Sequence, residues 1–120
     1  MIGYVTLGTN NMQRAAAFYD ALLGDLGAKR IMDFGEFIVW SNGGCGLSLA
    51  KPYDGKPATV GNGVMVALGV DSREKVDALY RRALQLGGTD EGAPGARSDN
   101  FYAAYFRDLD GNKLNAFFMN

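Results

Sequence analysis

The sequence predicts an α+β fold made of two tandem βαβββ modules. Three observations carry that expectation: an internal repeat, matching helix-start signals in the two halves, and turn-punctuated strands after each helix. A shift of 61 residues lays Val5-Thr6-Leu7-Gly8 on Val66-Ala67-Leu68-Gly69. The same shift pairs Ala17 with Ala78, Tyr19 with Tyr80, Leu23 with Leu84 and Gly27 with Gly88. One plan is therefore written twice.

Each half opens on an alternating strand, residues 2–9 and 64–70, with one face to bury and one left open. A helix follows. Asn10 with Gln13, and Asp71 with Glu74, read as capping boxes, a short polar side chain at the first turn and a Glu or Gln three residues on. Met12, Ala15, Ala16, Tyr19, Leu22, Leu23 and Leu26 recur at helical spacing in the first half, as do Val76, Leu79, Tyr80, Ala83 and Leu86 in the second. Gly27 and Gly87-Gly88 suit helix C-terminal turns. Strands are then expected at 28–33, 36–41 and 46–50, with Asn42-Gly43-Gly44 as a hairpin turn. The second half offers 89–91, a Gly/Pro-rich loop over 92–99, and strands at 101–107 and 113–119. The segment 52–62 is rich in turn formers and reads as a linker between module 1 (1–51) and module 2 (63–120) of one domain, 1–120. Modules of this size are marginal alone, so a shared core or an exchange between subunits is expected.

At 120 residues, 48% hydrophobic and 21% charged, the chain has the composition of a single globular domain. Its 12 basic and 13 acidic residues leave a net charge of -1, which argues against nucleic acid and anionic membranes as partners. The N-terminus lacks the pattern of a secretory signal, and no apolar run approaches the roughly 18 residues of a membrane span, so a cytoplasmic protein is expected. Cys45 is the only cysteine, which excludes an internal disulfide and a multi-cysteine zinc site. There is no histidine, so Ser-His-Asp triads, Cys-His pairs and histidine metal sites are excluded as well.

The closing segment Phe106-Arg107-Asp108-Leu109-Asp110-Gly111-Asn112, together with the tandem modules and Ala17-Phe18-Tyr19 in a capped helix, resembles the vicinal oxygen chelate superfamily of the glyoxalase/bleomycin-resistance/dioxygenase type. Leu109 stands where that hairpin usually has proline. The resemblance covers essentially the whole chain and implies half-barrel sheets around a small-molecule cleft, commonly assembled as a homodimer. Metal-dependent members carry His or Glu on the first and last strands of each module. The corresponding positions here are Tyr4, Ser48, Met65 and Asn115, none of them a carboxylate, imidazole or thiolate. The resemblance thus implies a cleft floor without a metal, offering hydrogen bonds from Tyr, Ser and Asn beside a thioether. Packing as sheet core without a ligand is the alternative for all four.

Tyr105 and Phe117 share a face with Asn115 if the last hairpin pairs Tyr105 opposite Asn115. Trp40, Phe101 and Tyr102 are aromatic wall candidates, although strand aromatics are more often simply packed. Arg97, in the Gly/Pro-rich loop, is placed to close over a cleft as an anion-binding lid, or to lie free in solvent. Asp108 and Asp110 suit a tight Gly-Asn turn better than calcium. Cys45 reads as an inert thiol.

These features point to a metal-independent, cofactor-free small-molecule binding protein, similar to bleomycin-resistance proteins but without a pronounced acidic charge. A divergent glyoxalase-like lyase or isomerase is the alternative. Tyr4 would be its candidate base, and a tyrosine is a weak base at neutral pH without a neighbouring cation.

Overall fold

Residues 1–120 are described by a computed structural model and fall into two units, Met1–Val60 and Gly61–Asn120. The first runs β1 (Tyr4–Gly8), α1 (Met12–Gly24), β2 (Lys29–Asp33), β3 (Phe37–Ser41) and β4 (Gly46–Ala50). The second runs β5 (Val66–Gly69), α2 (Arg73–Gln85), β6 (Thr89–Ser98), β7 (Phe101–Arg107) and β8 (Lys113–Met119). Their sheets have the same order, β1-β4-β3-β2 and β5-β8-β7-β6. In each, the first and last strands pair in parallel with the helix as crossover, and the remaining pairs are antiparallel. The α+β class and the two βαβββ modules are those the sequence predicts.

The helix starts lie one residue later than expected. Asn11, not Asn10, caps α1 by accepting from the Arg14 backbone N–H, and Ser72, not Asp71, caps α2 by accepting from that of Lys75. The displaced residues have other partners. Both amide atoms of Asn10 clasp the Ala58 backbone, pinning the segment after β4 to the end of β1, while Asp71 pairs with Lys75 at 2.7 Å. Both helices end in the same hydrogen bond, Ala28 N–H to the Leu23 carbonyl and Gly88 N–H to that of Ala83. Each bond closes over a left-handed glycine, Gly27 at φ 77° and Gly87 at φ 100°.

Each core lies between a helix and its sheet. Tyr19, Leu22 and Leu23 of α1 are buried with Ile38, Trp40, Leu47 and Leu49, and Val76, Leu79 and Ala83 of α2 with Phe106, Leu114 and Ala116. Full burial of each large aliphatic or aromatic side chain contributes about 1.5–3 kcal/mol, so these clusters dominate the stability of each unit. An ionic clasp ties β2 and β3 to α1. Arg30 makes two hydrogen bonds to Asp20, at 2.7 and 2.9 Å, and a third to Asp33, while the Trp40 indole N–H donates to Asp20 at 2.8 Å. The Arg30 guanidinium, ahead of the Trp40 hydrogen bond, holds the Asp20 carboxyl below its ordinary pKa.

The segment 92–99 departs from the expected loop. Most of it belongs to β6, which stays paired with β7 through three register shifts. Pro94 is tolerated because β6 is an edge strand, where a missing N–H breaks no ladder on the outer side. The Asp108–Asn112 turn is stabilised internally. Asp108 accepts from the backbone N–H groups of Asp110 and Asn112 and from the Asn112 side-chain amide.

Candidate ligand-binding faces

Strand register divides each sheet into a face toward its helix and an open face. In the first unit Trp40 reaches Asp20 and Tyr19 of α1, and Trp40 is opposite Leu47, so Leu47 and Leu49 face the helix. Ser48, between them, faces the other way. Thr6 is its partner on β1, and the two hydroxyls lie 2.6 Å apart, which places Thr6, and by period two Tyr4, on the same open face.

In the second unit Tyr102 donates to Asp77 of α2 at 2.6 Å and is opposite Phe118. That carboxylate raises the Tyr102 pKa. Asn115 and Phe117 alternate with these residues. They pair with Ala67 and Gly69 on β5 and with Tyr105 and Ala103 on β7. The Phe117 ring lies 3.3 Å from where a Cβ on Gly69 would sit, a tight approach that the glycine relieves. Met65 precedes Ala67 by two residues and is exposed.

Tyr4 and Ser48 thus share the open face of the first sheet, and Asn115, Tyr105 and Phe117 that of the second, at whose margin Met65 lies. Trp40 is a correction. It is 1% exposed and faces α1, because an aromatic on an interior strand opposite an apolar helix stripe gains most by packing there, and its N–H finds Asp20. Tyr102 likewise faces its helix. Arg97 folds back on its own segment, donating to the Ala93 and Gly95 carbonyls, with its guanidinium carbon 5.4 Å from the Tyr105 ring centroid. Gly92 and Gly95 leave the space it occupies, since a Cβ at either would lie within 3.4 Å of a guanidinium nitrogen.

The two faces differ chemically. On the first, the Tyr4 and Phe37 rings meet edge to face at 6.0 Å across β4. Ser48 beneath them is fully buried, with its hydroxyl shared with Thr6 and donated to the Val5 carbonyl. That hydroxyl is committed within its own sheet. On the second, the equivalent residue Asn115 is 2% exposed, yet its Oδ1 has no hydrogen-bond partner. A buried amide oxygen left unpaired costs about 1–3 kcal/mol, so its retention calls for a reason. Beside it, Phe101 and Phe117 stack at 5.6 Å, and Lys113 joins Arg97 over Tyr105, its Nζ 5.4 Å from the centroid. Lys113 and Phe37 went unrecognised in the sequence, although period two from Asn115 marks Lys113.

The open faces do not suit a divalent metal. No three His, Cys, Asp or Glu side chains gather anywhere in the structure, and a phenol, hydroxyl, thioether and amide are poor ligands for transition metals. A separate depression of about 330 Å³ in the first unit is lined by Thr9, Asn10, Glu36, Lys51 and Lys56 among others, and includes none of the ligand-binding candidates named from the sequence.

Two βαβββ units, with the helix of each on one side of its sheet and a mixed polar and aromatic face on the other, define a protein of the vicinal oxygen chelate kind. The family model of the Glyoxalase/Bleomycin resistance protein/Dioxygenase superfamily matches residues 1–116, and the chain belongs to that superfamily. Among solved structures it is similar to a glyoxalase/bleomycin resistance protein from Albidiferax ferrireducens T118. The two are 36% identical, with 98% of this chain and 97% of that one covered at a TM-score of 0.90. A lactoylglutathione lyase from Agrobacterium tumefaciens shares the fold at 21% identity, 98% and 92% coverage and a TM-score of 0.73. A fosfomycin resistance protein from Mesorhizobium loti does so at 15% identity, 100% and 92% coverage and the same TM-score. A search of curated proteins finds no significant match.

Proposed function

We propose that this chain is a metal-independent small-molecule binding protein, with Asn115, Tyr105 and Phe117 on the open face of its second sheet as the principal ligand contacts. The observation that carries the reading is the Asn115 Oδ1, buried and unpartnered among aromatic rings. A ligand O–H or N–H would satisfy it, and the aromatic neighbours would supply apolar contact. Met65, exposed at the margin of that face, is a further contact candidate; Tyr4 is a candidate on the first sheet's own open face, where Ser48 supports the sheet.

A lyase or isomerase reading has less support. Its candidate base, Tyr4, has the Phe37 ring as its side-chain neighbour, whereas a tyrosine base needs a neighbouring cation. The protein is further proposed to act as a homodimer, in keeping with the exposed apolar residues Ile2, Tyr4, Met32, Phe34, Val64 and Met65. A cytoplasmic location is part of the proposal, and no helix is long and apolar enough to cross a membrane. The test is metal analysis of the purified protein combined with a metabolite and antibiotic binding screen. Saturable binding without metal, weakened by Asn115→Leu, is expected. One equivalent of tightly bound transition metal per chain would overturn the reading.

A further inference from the structure

We infer that the ligand of the second sheet's open face is a small organic carboxylate carrying its own hydroxyl or N–H donor. This deepens the binding reading above and rests on it. Two cations lie against one ring, the Arg97 guanidinium from β6 and the Lys113 ammonium from β8, each 5.4 Å from the centroid of Tyr105 on the strand between them. Neither is paired with a carboxylate. The nearby Arg107 is neutralised by Glu91, and Arg97 spends two of its five donors on the Ala93 and Gly95 carbonyls, keeping three to offer.

An uncompensated cation on a sheet face attracts an anion, and the planar guanidinium matches a carboxylate. The second observation is independent of charge. Tyr105 is directly opposite Asn115 in the β7–β8 register, so the buried, unpartnered Oδ1 is the cross-strand neighbour of the ring that both cations flank. Directly opposed side chains on one sheet face lie about 5 Å apart at Cβ. A ligand lying across Tyr105 would carry its anion toward Arg97 or Lys113 and donate a hydroxyl or N–H to Asn115. A cationic or purely apolar ligand would leave one or both features unsatisfied.

The experiment measures binding of lactate and mandelate to the full chain by calorimetry. The uncharged comparators are lactamide and mandelamide, and propionate and phenylacetate lack the hydroxyl. At least one hydroxy acid is expected to bind at least tenfold more tightly than its amide. Arg97→Gln and Lys113→Gln should each weaken that hydroxy acid several-fold, leave the amide unaffected and stay folded, with a melting temperature within a few degrees of the parent. Asn115→Leu should weaken the hydroxy compounds but not propionate or phenylacetate. Amides that bind as tightly as the acids, or cation variants that bind the acids unchanged, overturn the inference. If Asn115→Leu still weakens binding in that case, the broader binding reading survives. Failure of every carboxylate to bind at millimolar concentration also overturns the inference, leaving the metabolite screen to decide the broader reading.

Discussion

Ser48 and Asn115 occupy equivalent places in the two modules, and replacing them should move stability in opposite directions. Ser48 has a satisfied hydroxyl, 2.6 Å from that of Thr6 and 3.1 Å from the Val5 carbonyl. Ser48→Ala removes both interactions without opening a large cavity and should cost about 1 kcal/mol. Asn115 is equally buried but has an orphaned Oδ1. Leucine nearly matches asparagine in shape and has nothing to satisfy, so Asn115→Leu should stabilise the ligand-free protein by about 1–3 kcal/mol, the penalty of the unpaired acceptor. Urea unfolding reads both effects as shifts of the midpoint at constant slope. A buried acceptor that costs stability when empty gains that energy back when a ligand donates to it, which is the physical content of the binding proposal. If Asn115→Leu is instead destabilised as much as Ser48→Ala, the amide is satisfied in the native protein and the reasoning fails.

Chelation should leave the melting temperature unchanged, and elemental analysis should find no stoichiometric zinc, nickel, iron or manganese, given the donor set at Tyr4, Ser48, Met65 and Asn115; a chelator-induced drop of several degrees would contradict this. Light scattering at micromolar concentration should give the mass of a dimer, and a monomeric mass would count against the proposed assembly. The Asp20 clasp carries a pH signature. Because its folded pKa is depressed by Arg30, the stabilisation is present above the unfolded value near 3.9 and is lost as pH falls through the folded one. Asp20→Asn should therefore lose less stability than the parent in acid unfolding below about pH 4, and at neutral pH cost under about 1 kcal/mol, since the pair is partly exposed; parallel acid transitions in the two proteins would refute the clasp.

Much of the fold was legible because the repeat supplied each element twice. The last hairpin could be placed to the residue, since Asp-Leu-Asp-Gly-Asn punctuates two apolar, aromatic-rich runs, and the pairing of Tyr105 with Asn115 follows from it. The helix caps slipped by one position because Asn10-Asn11 and Asp71-Ser72 each offer two competent capping side chains, and only tertiary partners such as Ala58 decide between them. The repeat also loses one residue at the helix ends, where Gly27 corresponds to Gly87 rather than Gly88. The Gly/Pro content of 92–98 hid a strand whose pairing is supplied by β7 rather than by its own periodicity.

At the candidate site, period two was enough to put Asn115, Tyr105 and Phe117 on one face. Trp40 was misread because ring size suggests a pocket wall as readily as a core, and its facing is settled only by its partners, Leu47 on β4 and Asp20 and Tyr19 on α1. Whether a buried polar side chain is satisfied cannot be read from its own position. Ser48 and Asn115 look alike in sequence, and the difference lies in their neighbours, Thr6 on β1 for one and Ala67 on β5 for the other.

The central claim is that a small molecule binds at Asn115 without a metal, and the side-chain amide resonances of that residue test it most directly. Nuclear magnetic resonance titration of the chelator-treated protein with a ligand from the screen should shift the Asn115 amide pair saturably, at one equivalent per chain, together with the ring signals of Tyr105 and Phe117. Saturation by a tight ligand that leaves all three unmoved, or binding that returns only when a divalent metal is added, would contradict the account.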